Sequence, residues 1–418
     1  MIQENIEIMA PAGSHEAVAA ALQAGADAIY FGVGNLNMRA RSTVNFSLTE
    51  MERIAMKCQR HGVKSYLTVN TIVYPEELKE VELLLHCAKA CDITAVIASD
   101  WAVITRAAAI GLPVHASTQC NITNLDAVRF YARYAEVMVT ARELNLKQLR
   151  EIAEGIRRER ITGPDGKPVR LEVFAHGALC MAVSGKCYLS LDNLGSSANR
   201  GACLQPCRRQ YEVRDADNEL ELLVSGKYIL SPKDLCTIGF LDKILQAGIS
   251  VLKIEGRGRS PEYVKTVTEC YREAVEACRD GSYGEEKVKG WMQRLQNVYN
   301  RGFWDGYYLG RRMGEWTERY GSQARKSKIH IGTVTNYFSR LQVAEIKVEN
   351  DRLQVGDELL VVGPTTGVAE LQAEEIRVEL QAVPEAGKGT LCSIPVPGRV
   401  RRNDKVYRLI PTCDSDSY

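Results

Sequence analysis

Short apolar runs recur along the first two-thirds of the chain, each closed by polar or glycine-containing residues. They are IEIMA (6–10), AIYFG (28–32), SYLTVN (65–70), AVIAS (95–99), PVHAS (113–117), VMVTA (137–141), LEVFA (171–175) and SVLKIE (250–255). Between them lie longer stretches with apolar positions at helical spacing, such as HEAVAAALQAGA (15–26), PEELKEVELLLHCAKACD (75–92) and NLKQLREIAEGIRRER (145–160). Buried strands alternating with amphipathic helices are the pattern of parallel βαβ units. Eight strands in about 260 residues predict a TIM-type (β/α)8 barrel. A doubly wound open sheet gives the same periodicity and stays open as the alternative.

Two features break this rhythm. The seventh connection, an insertion over 177–242, is much longer than the others, and YEVRD and LELLVS around ADNE suggest a hairpin inside it. Connections of that length are usually functional or disordered, and the strand pattern and cysteines argue against disorder. After Gly256, two helices are expected near 261–280 and 285–300. From Lys328 the pattern switches to alternating strands separated by turn signals, which predicts a small antiparallel β-barrel. The expected division is therefore a core over 1–325 and a β domain over 326–418.

In a (β/α)8 barrel the chemistry gathers at the C-terminal ends of the strands. Here those ends carry Asn70, Asp100, Ser117, Gln119, Arg142, Glu143, His176, Glu255 and Arg257. At least four of them are expected to line one mouth.

Composition adds little by itself. The 418 residues are 45% hydrophobic with a net charge of +1, ordinary for a globular chain. The start, MIQENIEIMAPAGS, has no basic and apolar leader pattern, and no run is long enough to span a bilayer. A cytoplasmic location with no membrane partner is expected.

The 13 cysteines change the picture. A reducing cytoplasm disfavours disulfides. Cys58, Cys87, Cys91, Cys270 and Cys278 fall in helical segments and read as small buried apolar residues, while Cys120, Cys392 and Cys413 are given no role. The remaining set, Cys180-x6-Cys187-x15-Cys203-x3-Cys207 with Cys236 further on, is different in kind. Thiolates are soft ligands for zinc or iron–sulfur clusters. Zinc sites favour two close pairs, and only Cys203 and Cys207 make one. A cluster tolerates the irregular spacing, and Gly177, Gly185 and Gly201 would let the backbone pass close to it. On spacing, cluster, zinc and a structural or redox role all remain open.

EVFAHGALCMAVSGKCYLS (172–190), NRGACLQPCRRQYEV and LKIEGRGRSPEYV, with APAGS and ASTQCNITN upstream, resemble the collagenase-like peptidase family over roughly residues 6–310. The resemblance implies oxygen-independent hydroxylation. One branch of that family converts the tRNA wobble uridine to 5-hydroxyuridine, another hydroxylates a cytidine of 23S ribosomal RNA, and a third acts on quinone precursors. It implies an iron–sulfur cluster, expected as 4Fe-4S, on Cys180, Cys187, Cys203 and Cys207, with Cys236 as the alternative fourth ligand. It also implies prephenate as co-substrate. The length of the core with its β tail looks like the tRNA branch. Expected partners are a tRNA anticodon loop, the iron–sulfur assembly machinery and a homo- or hetero-oligomer with a related member.

Within that frame the strand-end residues take roles. Hydroxylation without dioxygen needs an oxygen donor and the transfer of two electrons to an acceptor, for which a cluster is suited as a relay. His176, Glu143 and Glu255 are the acid–base choices. Arg257 would hold a carboxylate, and Asn70 and Gln119 would hydrogen-bond a base or the co-substrate. Arg208 and Arg209, in NRGACLQPCRRQ, would meet phosphate, as would the basic and aromatic stretch around Trp316 and Tyr320 and the tail segment PGRVRR. A peptidase is the rival from another class. No G-x-S-x-G or HExxH motif is present, so it would rest on Cys180 with His176.

Overall fold

The computed structural model describes residues 5–41, 45–211, 228–310, 314–317 and 319–412. The hairpin expected around ADNE, and Cys413, lie outside the described residues.

The eight predicted strands form the barrel. In chain order the elements are β1 (Glu7–Pro11), β2 (Ala28–Gly32), β3 (Lys64–Val69), β4 (Ala95–Ala98), β5 (Val114–Ala116), β6 (Val137–Val139), β7 (Arg170–Gly177), β8 (Asp234–Cys236), β9 (Val251–Ile254) and β10 (Phe303–Trp304). Neighbours from β1 to β7 pair in parallel, and β9 pairs in parallel with both β1 and β7. That double pairing closes the sheet, so the open-sheet alternative is excluded. β8 is not a barrel strand. It returns from the insertion antiparallel to the end of β7, with His176 opposite Cys236, and carries β10 on its far side.

Alternation explains how the strands divide their side chains. Ile8, Ile29, Leu67, Val96, Val173 and Leu252 belong to the large outer core under the helices. Met9, Ala28, Tyr30, Tyr66, Ala95, Ile97, Val137 and Val251 pack inside the barrel. Polar groups at the inward phase are paired. At the lower end Glu7 accepts from Tyr66 Oη and Lys64 Nζ at 2.6 Å and from Arg170 at 2.8 Å. One layer up, Lys253 Nζ donates to Glu172 Oε1 at 2.8 Å, and His115 Nδ1 lies 3.7 Å from the other carboxylate oxygen.

Helices start where the sequence supplies caps. Ser47 with Glu50, and Asn145 with Gln148, form capping boxes ahead of the helices Leu48–Arg60 and Leu146–Glu159. The expected helices after Gly256 are Pro261–Asp280 and Glu285–Asn297. Of the cysteines assigned to helices, Cys58 and Cys270 are buried, while Cys87, Cys91 and Cys278 are only half-buried.

From Lys326 the chain forms antiparallel sheets around a second core that includes Ile331, Ile346, Val361 and Val406. The main ladder has eight strands but does not close on itself among the described residues. Its edges are Gly367–Gln372 and Gln381–Val383, and Arg352–Gln354 pairs separately with Glu385–Gly387. This domain docks on the helices that follow β1 and β9. Ala20 packs with Leu360, Val362 and Val368, and Gln23 both donates to the Thr366 carbonyl at 2.5 Å and accepts from the Val368 amide at 2.9 Å. No helix among the described residues is long and apolar enough to cross a membrane.

Candidate active site at the mouth of the barrel

The insertion folds back over the C-terminal end of the barrel. The Ile72 amide donates to the Asn199 carbonyl and the Arg41 amide to that of Gly201, each at 3.2 Å. Arg200 forms an ion pair with Glu77 and lies over the Tyr74 ring at 4.2 Å. Gly201 shows why glycine is needed: its φ is 75°, and a Cβ there would overlap the Asn37 carbonyl oxygen.

Beneath this cover is a cavity of about 270 Å³. Cys180, Cys187, Cys203 and Cys207 all line it. They come from separate points along the insertion: Cys180 follows β7, Cys187 precedes the short helix Leu189–Leu194, Cys203 precedes the turn Pro206–Arg208 and Cys207 lies within it. The thiols are near enough to act on one another. Burial pushes Cys203 up and Cys207 to about 11, with contributions from the neighbouring cysteines. Among the described residues no three His, Cys, Asp or Glu side chains stand together as the ligand set of a single ion. Four thiols lining one cavity form a soft donor set, the kind that holds either zinc or an iron–sulfur cluster. Cys236 lies elsewhere. It is buried outside the lining, 3.8 Å from Met292 Sδ, with burial raising its thiol to about 12.

The rest of the wall comes from the strand ends. Asn70, Ser117, Gln119, Arg142, Glu255 and Arg257 line the cavity, more than the four expected. Asn70 Nδ2 faces Ser117 Oγ at 3.4 Å and Gln119 Oε1 at 3.5 Å, and its Oδ1 accepts from the Met38 amide at 3.2 Å. Buried Arg257 donates through Nη1 to Thr68 at 2.8 Å and Asn37 at 3.0 Å, and burial lowers it to about 10. Glu255 is paired with Arg39 and accepts from Tyr30 Oη at 3.2 Å. Burial alone would raise its carboxyl, but Arg39, Arg142 and Arg257 outweigh that and hold it at about 2. It is therefore a fixed anion near neutrality, not a proton donor.

Four sequence expectations do not meet at this cavity. Asp100 instead caps the helix Trp101–Ala109, its carboxylate accepting from the Ala102 amide at 2.8 Å. His176 is buried outside the cavity, among the rings of Tyr263, Tyr271 and Phe303 at 6.0, 5.6 and 5.4 Å. The cause is a bulge. In the pairing with β9, Phe174 faces Lys253 but His176 faces Ile254, so Ala175 is an extra residue that turns the next side chain out of the barrel. Burial lowers His176 to about 3, with Arg259 adding to the shift, so the ring is neutral. Glu143 is exposed and outside the lining. Arg209 is also exposed and outside it, whereas Arg208 lines the cavity with its guanidinium tied to Leu179, Ser231 and Pro232 at 2.7, 2.9 and 2.6 Å.

Sequence reasoning missed other cations. Arg39, Lys253, Arg259 and Arg301 line the cavity beside Arg142, Arg208 and Arg257. With Glu255 as the lining carboxylate, the site is set for an anionic ligand. Lys253 and Glu172 had a readable signal, as opposite charges at the inward phase of apolar strands. Arg39, in the loop after β2, had none.

A closed (β/α)8 barrel with a thiol- and arginine-lined mouth defines an enzyme architecture. The chain belongs to peptidase family U32, whose model matches residues 13–318. It is 56% identical to a protein named "Collagenase" from Porphyromonas gingivalis (strain W83), over 97% of this chain and 98% of the relative. It is 31% identical to "tRNA hydroxylation protein P1" from Bacillus subtilis, over 87% of this chain and 85% of the relative. A solved U32 peptidase aligns with 15% identity and a TM-score of 0.41, over 62% of this chain and 97% of its own.

Proposed function

We propose that this chain hydroxylates a pyrimidine of RNA at C5 without dioxygen, with the wobble uridine of tRNA as the favoured target. The observation that carries the reading is the convergence of Cys180, Cys187, Cys203 and Cys207 on one arginine-rich cavity. The Bacillus subtilis relative, by its name, supports it.

In this reading the four thiolates hold an iron–sulfur cluster, which when bound supplies or accepts electrons one at a time. Arg142 and Arg257 bind the carboxylates of a prephenate-like co-substrate, which arginine does bidentately. Glu255 keeps Arg39 oriented toward the same space. Asn70 and Gln119 offer both a donor and an acceptor to the edge of a base. The insertion covers part of the cavity from above, while Cys180 stays exposed at its opening.

The second reading is a peptidase, favoured by the name of the Porphyromonas gingivalis relative. It would need a nucleophile and a base in contact. The Cys180–His176 pair does not supply one, since His176 faces the outer helices.

The test is a deletion strain. Loss of 5-hydroxyuridine from its tRNA, restored by the wild-type gene but not by Cys203→Ser, supports the hydroxylase. Unchanged tRNA nucleosides, together with gelatin cleavage by the purified protein, would move the assignment to the peptidase.

A further inference from the structure

A second cavity of about 450 Å³ opens beside the thiol cavity. The two share Met38, Asn70, Gln119, Ser184, Gly185 and Cys187 as a common wall. The outer chamber is built differently from the inner one. Its sides are Ile72 and Tyr74 from the loop after β3, facing Tyr188 and Leu191 from the insertion. All four are exposed, Tyr188 at 75%. An aromatic ring so exposed on the rim of a cavity contributes little to folding and is available to a ligand. The Tyr74 ring is already held from one side by the Arg200 guanidinium, which Glu77 fixes.

The polar groups sit deeper. Asn70 and Gln119 are at the shared wall, and Ser197 and Asn199 are on the insertion side. Lys186, exposed next to Cys187, places a cation at the entrance. Two tyrosine rings, amide groups and a cation, with the lining carboxylate Asp100 engaged by the Val73 and Ala102 amides, match a nucleotide: a ring to stack, polar edges to hydrogen-bond and a phosphate. A peptide adding itself as a strand would need a free backbone edge, which the closed barrel does not offer here.

We infer that the outer chamber is the subsite for a nucleobase of single-stranded RNA, stacked on Tyr188 and delivered from there to the thiol cavity. This rests on the proposed RNA hydroxylation and adds the place where the base is held. It also gives the shared residues Asn70 and Gln119 a position from which one amide pair serves both chambers.

The experiment uses the full chain prepared without oxygen and a short RNA hairpin with a uridine in its loop. Binding is read by fluorescence anisotropy, and hydroxylation by nucleoside analysis. Tyr188→Ala is expected to weaken binding and raise KM by about tenfold, the scale of one lost base–aromatic stack, with kcat little changed. Tyr188→Phe and Tyr188→Trp should retain wild-type values, which a general folding defect would not allow. Equal binding and KM in wild type and Tyr188→Ala would overturn the inference. So would failure of the wild type to bind the hairpin. Tyr188-dependent binding of a gelatin peptide in place of RNA would also overturn it, and would assign the chamber to peptides. A wild type that binds the hairpin through Tyr188 but hydroxylates nothing would uphold the subsite and reject the proposed reaction, so the two failures are distinct.

Discussion

Lys253 and Glu172 face each other across 2.8 Å inside the barrel, both buried, with Lys253 in the lining of the thiol cavity. Burial would raise the Glu172 carboxyl, but Lys253 and His115 outweigh it and keep the carboxyl below its usual range. Removing one partner strands the other charge away from water. Lys253→Met is therefore expected to destabilise the fold by about 3–5 kcal/mol, and Glu172→Gln by a comparable amount. The double substitution should cost clearly less than the sum of the two. Urea denaturation of the three variants checks this.

His176 makes the fold sensitive to acid. Its ring is neutral in the native state down to about pH 3, against an ordinary value of 6.5. Between those values the unfolded chain binds a proton that the folded chain refuses, so stability falls as pH falls. The contribution is nil above the ordinary value and reaches about 2 kcal/mol near pH 5. His176→Phe should flatten that part of the stability curve, followed by thermal melts across pH. It should not remove the further loss between about pH 4.5 and pH 2, where the unfolded chain protonates Glu255 and Glu7 and the folded chain, holding both at about 2, does not.

The placement of Cys236 separates it from the other four. Serine at Cys180, Cys187, Cys203 or Cys207 is expected to abolish or sharply reduce bound iron and sulfide in protein purified without oxygen. Cys236→Ser should leave iron and sulfide unchanged and alter only packing near Met292. Metal and sulfide quantitation on the five variants decides it. Full iron in Cys207→Ser with none in Cys236→Ser would reverse the ligand set.

Gly201 sets how close the cover sits. Alanine there meets the Asn37 carbonyl and adopts a φ that side chains avoid, at a cost of about 1–3 kcal/mol. The strain falls on the turn two residues before Cys203. Gly201→Ala should therefore make the Cys203 thiol react faster with iodoacetamide, while the barrel's melting transition shifts only modestly. Peptide mapping of the labelled thiols reads the first effect and calorimetry the second.

The barrel was legible because its strands are short, apolar and evenly spaced, and nothing in their pattern competes with that assignment. All eight fall where the runs predicted. What the pattern could not carry is phase after an irregularity. Counting by twos from Phe174 puts His176 inside the barrel; the extra residue Ala175 puts it outside. Glu143 failed for a related reason, because a polar residue after a strand need not turn toward the axis. The cysteine cluster was readable as a group from its spacing alone, but its shared cavity was not, since the insertion's path depends on contacts such as Gly201 with Asn37 and Arg200 with Glu77. Arg39 was invisible because a loop has no period to reveal it.

The docking of the β domain couples the ends of the chain in time. Gln23, in the first helix, finds its partners Thr366 and Val368 only after more than 340 further residues have been made. The helices it clamps flank β1 and β9, the two strands whose pairing closes the barrel. During synthesis, β1 must wait for β9, and that seam is then fastened from outside by the last domain to emerge. Until the β domain has been made, the seam between β1 and β9 lacks this outer fastening.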